Sequence, residues 1–171
     1  ETKVEIPLEL NPYRVKVVVG FDEEVGFSRA FREETLALLR QRCRSYWSRM
    51  CETQVVENQK LFPATVATLE RVEIGPESAE AQGWDKVFVL TVKSTGADFR
   101  VAEKVWDGTT REMSQVVKAV AYRREDIAGH LFGLLSELFE PIVEIEDFDF
   151  ETVTLNVRAG EILPTDPDQA Q

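Results

Sequence analysis

The side chains best suited to chemistry in this chain are one histidine, two cysteines, a run of carboxylates and a set of arginines. His130 could act as a general base, but a catalytic triad also needs a nucleophile and an orienting acid, and no GxSxG elbow supplies the nucleophile. Standing one residue before Leu131 in an amphipathic run, His130 reads as a helix-surface or boundary residue. Cys43 and Cys51 with a single histidine give zinc too few ligands unless carboxylates join them. As a disulfide they face a geometric condition, because an unbroken helix would hold their Cα atoms ~12 Å apart at ~1.5 Å per residue. A bridge requires the helix to stop near Trp47 and the chain to fold back. The sequence leaves bridged and free thiols both open.

Glu140, Glu144, Glu146, Asp147, Asp149 and Glu151 follow one another with no Lys or Arg until Arg158. Glu144 and Glu146 alternate with Val143 and Ile145, as on a strand with one wet face. The spacing of Asp147, Asp149 and Glu151 also fits a calcium site, although the glycine of an EF-hand loop is missing and two phenylalanines interleave. A carboxylate pair for glycoside hydrolysis needs a cleft and a fixed separation, which spacing alone does not provide. Residues 27–50 carry the opposite sign, with six arginines against two glutamates. A solvated face, a match to the acidic run or a docking surface for an acidic partner all fit that set. Arg40 and Arg44, with Trp84 of the GWD loop, are the candidate partner-binding residues. Neither GxGxxG nor GxxxxGK[ST] occurs, and the stretch Gly20 to Gly26 holds Asp22, Glu23 and Glu24, which repel phosphate. No cofactor is expected.

The 171 residues, 43% of them hydrophobic, suffice for one domain with a core that needs no metal or disulfide. A formal charge of −11 opposes nucleic acid and anionic lipid at long range. No apolar run approaches the ~20 residues of a membrane helix. Glu1 stands where a Met would open a whole chain, so the sequence reads as a processed form or a segment of something longer.

Hydrophobic periodicity lays out the elements that must position these groups. YRVKVVVGFD from Tyr13 reads as a strand, and Ser28 caps a helix from about Arg29 to Tyr46 whose stripe is Phe31, Leu36, Leu38, Leu39, Cys43, Tyr46 and Trp47. MCETQVVEN reads as a short strand and Pro63 to Val72 as a second helix. Residues 74–85 read as a loop open to proteolysis. VFVLTVK, FRVAEKVWD and SQVVKAVAYR then alternate as three strands, turning at Gly96 and at Asp107-Gly108. A third helix follows, with Ile127, Leu131, Leu134, Leu135, Leu138 and Phe139 on one face, Asp126 as its cap and Pro141 as its stop. IVEIEDF and TVTLNVR form a last hairpin turning near Asp149 to Glu151.

The expected fold is therefore α+β, in the order βαβαβββαββ, with one mostly antiparallel sheet of about six to seven strands and three helices packed on it. Residues 1–12 are an extended lead-in, 13–160 a single domain, and 161–171 a proline-bearing tail or linker. This order, the opening NPYRVKVVVGFD and the closing VRAGEILPTD are similar to bacterial extracytoplasmic proteins and to the small α/β N-terminal domain of TolB, over roughly residues 12 to 163. The resemblance includes no catalytic signature. It implies a periplasmic, envelope or secreted location, the alternative being the cytoplasm, and a binding or assembly role. The expected function is a non-catalytic module for a protein partner or a neighbouring domain of a longer chain, with oligomeric state open. The alternative is a calcium, small-ligand or carbohydrate-active domain using Asp147, Asp149 and Glu151.

Overall fold

A computed structural model describes residues 7–22, 27–58, 69–148 and 152–160. The strands are β1 (Tyr13–Phe21), β2 (Cys51–Glu57), β3 (Lys86–Ser94), β4 (Phe99–Asp107), β5 (Glu112–Met113), β6 (Val117–Ala121), β7 (Val143–Phe148) and β8 (Val153–Val157). The α-helices among the described residues are α1 (Arg29–Trp47) and α2 (Ile127–Leu138).

Six strands form one sheet in the order β2-β1-β3-β4, with β5 and β6 following each other along the far edge of β4. The sheet is mixed, which corrects the mostly antiparallel expectation. β1 runs parallel to both β2 and β3, while β3/β4, β4/β5 and β4/β6 are antiparallel. A second correction of the same expectation is that β7 and β8 pair only with each other, as a separate two-stranded sheet. Two α-helices lie among the described residues where three were expected. Residues 59–68, most of the second expected helix, fall outside them.

The parallel pairing has a physical cause in the crossovers. A helix the length of α1 carries the chain ~28 Å back along the sheet, so the next strand starts at the same end as the last. Strands placed between such crossovers are covered on both faces, and they lose the alternation of a half-wet strand. Val17, Val18 and Val19 are all buried, as are Val87, Phe88, Val89 and Leu90.

One face of the sheet packs on α1 and α2 through Val15, Val17, Phe88, Leu90, Leu39, Leu131 and Leu135. The other is covered by the chain after Leu69, whose Val72, Ile74 and Ala81 meet Val87, Val89, Ala102 and Trp106. The expected loop over 74–85 thus contributes to a second small core. Ser28 caps α1 as expected, its Oγ accepting from the Phe31 N–H at 3.2 Å. Asp126 makes no such cap; its carboxylate takes the Arg123 Nε–H at 3.1 Å, and a 3-10 turn over Arg124–Asp126 leads into α2. Leu38 and Tyr46, placed by spacing on the inner stripe of α1, are exposed at 39% and 64%, because Thr35 and Leu36 turn the buried face away from them.

Candidate functional site

A cluster of paired charges sits at the end of the sheet where β1 and β3 begin, β4 finishes and the β7–β8 hairpin joins. Arg158, immediately after β8, donates from Nη1 and Nη2 to the two carboxylate oxygens of Asp85 at 2.9 and 2.7 Å. Its remaining donors reach the carbonyls of Asn11 and Pro12, and its guanidinium lies 4.7 Å over the Tyr13 ring. Asp85 also accepts the Arg14 N–H at 2.7 Å. Beside them the buried Lys86 ammonium bonds the Asp107 carboxylate, which accepts the Thr109 N–H as well. Burial pushes the Asp107 carboxyl up, but Lys86 and that N–H outweigh it and hold the group below its ordinary range. Each charge here is matched by another, so the cluster works as a clamp that fixes the base of the hairpin.

The hairpin it fixes is different in character. Val143 pairs with Val157 and Ile145 with Leu155, so Val143, Ile145, Val153, Leu155 and Val157 share one face. All five are exposed, between 38% and 64%. The opposite face carries Glu144 across from Asn156, and a register shift follows between Ile145 and Asp147. The base is tied to the body by the Ile142 N–H to Tyr13 Oη at 2.6 Å and the Ala159 N–H to the Leu8 carbonyl at 3.1 Å. Two strands with a bare apolar face are marginal by themselves, and a contiguous exposed apolar patch marks a contact surface.

The residues singled out in sequence are dispersed by the fold. Arg40 reaches from α1 to edge strand β2, donating twice to the Val55 carbonyl at 3.2 and 3.0 Å. Arg44 is exposed near the end of α1. Trp84 is half-buried, packed against the second core with the Arg14 guanidinium 5.8 Å over its ring. Arg40 and Trp84 therefore already have work inside the molecule. Asp147 is exposed on β7, while Asp149 and Glu151 lie outside the described residues. Among the described residues no three ligand-type side chains gather as a metal site. His130 is half-buried on α2.

Cys43 and Cys51 are free and buried. The helix does end at Trp47 and the chain does fold back into β2, yet the thiols remain unbridged. Burial, chiefly, pushes each up to about 12. We expect both to react with a thiol reagent at pH 8 at least a hundredfold more slowly than free cysteine, roughly, until the protein is denatured. Rapid labelling of either thiol in the native protein would contradict this.

Glu103 was missed by sequence reasoning. It lies in the middle of β4, fully buried on the helix-facing side, and among the described residues neither carboxylate oxygen has a hydrogen-bond partner. Burial first, then the Glu137 charge, drives its carboxyl well above the ordinary value. Its signal in sequence was its parity with Val101 and Val105, which place it on the inner face.

No family model and no curated protein matches the chain. Among solved structures it is similar to TolB from Acinetobacter baumannii, at 16% identity and a TM-score of 0.41, covering 90% of this chain and 37% of that one. A PelC dodecamer from Paraburkholderia phytofirmans is 12% identical with a TM-score of 0.38, covering 81% and 96%. A lipoprotein from Neisseria meningitidis is 17% identical with a TM-score of 0.35, covering 74% and 95%. The chain spans about a third of TolB, by the 37% covered. The weak TolB resemblance read from the sequence thus recurs among structures. No helix among the described residues is long and apolar enough to cross a membrane.

Proposed function

We propose that this chain is a non-catalytic α/β interaction module, and that its β7–β8 hairpin is the surface through which it joins a protein partner or a neighbouring domain. One observation carries the reading: five apolar side chains stand exposed on a single face of a hairpin whose base is held by a bidentate ion pair. A rigid root and an uncovered apolar face are what a docking element needs, since ordering costs are met before the partner arrives. The charged groups at the root are matched among themselves and leave no reactive group poised. An envelope or secreted location accompanies this reading through the sequence resemblance alone.

A photo-crosslinking residue placed at Ile145 or Leu155 in the producing cell tests it. Protein adducts are expected at both positions and none at Glu77, exposed on the far loop. Absence of adducts from both hairpin positions, with wild-type abundance of the protein, would sink the reading.

A further inference from the structure

We infer that the last turn of α2, Ser136 to Leu138, is a hatch over the Glu103 carboxyl, closed while that group carries its proton and opening when the proton leaves. Glu103 sits fully buried at the middle of β4, and among the described residues neither of its oxygens meets a hydrogen-bond partner. Its neighbours across the sheet are Leu90 of β3 and Val117 of β6, which offer no polar side chain. The two helices close the site from above.

Each helix brings a titratable group, and neither group is a cation. α1 contributes Cys43, whose thiol feels the Glu103 charge, and α2 contributes Glu137, whose charge acts on Glu103 itself. His130, two turns before Glu137 on the same helix, is not among the charges that act on it. α2 has no basic residue in its last turn, so the negative end of its dipole faces this region unopposed. An anion at Glu103 thus meets repulsion without solvent, whereas the neutral acid loses only hydrogen bonds.

Burial decides which part of the cover moves. Ile127, Leu131 and Leu135 are buried, but Ser136 and Glu137 are exposed and Leu138 is half-buried, so lifting the last turn uncovers little apolar surface. Leu138 and Val105 line a surface cavity of about 180 Å³. Val105 is the next inward-facing residue after Glu103 on β4, so water in that cavity stands one inward position from the carboxyl. Phe139, which follows the hatch, is held against the rings of Tyr13 and Trp47 at 5.0 and 5.2 Å, so the movement stops short of the hairpin root.

Amide hydrogen exchange of the whole chain between about pH 5 and about pH 7 tests this, with each rate divided by that of an unstructured peptide at the same pH. An open hatch lets the carboxyl ionise as it does in an unfolded chain. Each pH unit between the ordinary ~4.3 and the folded value therefore favours the open form about tenfold. The protection of the Glu137 and Leu138 amides is expected to fall at least about tenfold over this range. At every pH those amides are expected to stay at least about tenfold less protected than amides at the centres of β1 and β3, which mark opening of the whole domain. In Glu103→Gln and Glu103→Met, which have no proton to lose there, the protection of the hatch amides is expected to be constant with pH. Wild-type protection that does not change with pH overturns the inference, as does an equal fall in both variants. Hatch amides that match those of β1 and β3 throughout also overturn it, because Glu103 is then hydrated only by global unfolding.

Discussion

Arg158→Ala is expected to lower stability by about 3 kcal/mol, the scale for removing one partner of a largely buried, hydrogen-bonded ion pair. Arg158 is 9% exposed and satisfies the Asp85 carboxylate and two backbone carbonyls at once. Truncation takes the guanidinium away from the Asp85 carboxylate and from the Asn11 and Pro12 carbonyls, untying the residues after β8 from the lead-in to β1. Arg158→Lys is expected to recover less than half of the loss, because an ammonium cannot bridge both oxygens and both carbonyls. Urea denaturation measures the loss, and limited proteolysis locates it, with cleavage appearing first in residues 140–158. A loss below roughly 0.5 kcal/mol would place the pair among ordinary surface ion pairs and remove the clamp.

Glu103→Met is expected to act in the other direction, raising stability at pH 7 by about 2 kcal/mol, since an apolar side chain of similar volume replaces a buried acid. For a chain of this size that is roughly 4–8 °C in melting temperature. The sign of the pH dependence follows from the raised carboxyl. Below the unfolded pKa of ~4.3 the acid is protonated in both states and carries no ionisation penalty. As pH rises toward the folded pKa, the unfolded chain ionises and the folded one resists, so stability falls. Asp107, lowered instead, loses its contribution as pH drops through its folded pKa, so its effect belongs to the acid side of the profile. Glu103→Gln is therefore expected to flatten the decline above pH ~5 while leaving the acid limb unchanged. After burial, the charge acting on Glu103 is that of Glu137 on α2, which adds to the rise instead of opposing it. Equal pH profiles for wild type and Glu103→Gln would refute the buried-acid account.

The proposed hairpin contact and this buried acid differ in how they could be reached from sequence. The alternation of Val143 and Ile145 with Glu144 and Glu146 predicts a half-wet strand, and the structure agrees on the alternation while leaving the apolar side uncovered. Alternation reports that two faces differ. It does not report whether anything lies on the apolar one. Arg40 shows the converse limit, because its type and exposure suited a partner, yet β2 brought a carbonyl within its reach.

By itself the sequence determined the local elements: the Ser28 cap and its helix, the Ile127–Leu138 helix, the strands from Lys86 to Asp107 and the turn at Gly96, whose φ of +90° glycine accepts freely. These rest on interactions between residues a few positions apart, which spacing records. Strand direction was decided by tertiary structure, since a crossover over either face leaves the same apolar count on each strand. Tertiary structure also decided that Arg158 meets Asp85 across 73 positions, that Glu103 is sealed beneath two helices, and that the last hairpin stands apart from the main sheet. Contacts between distant segments depend on how whole layers stack, and no window along the chain contains both partners.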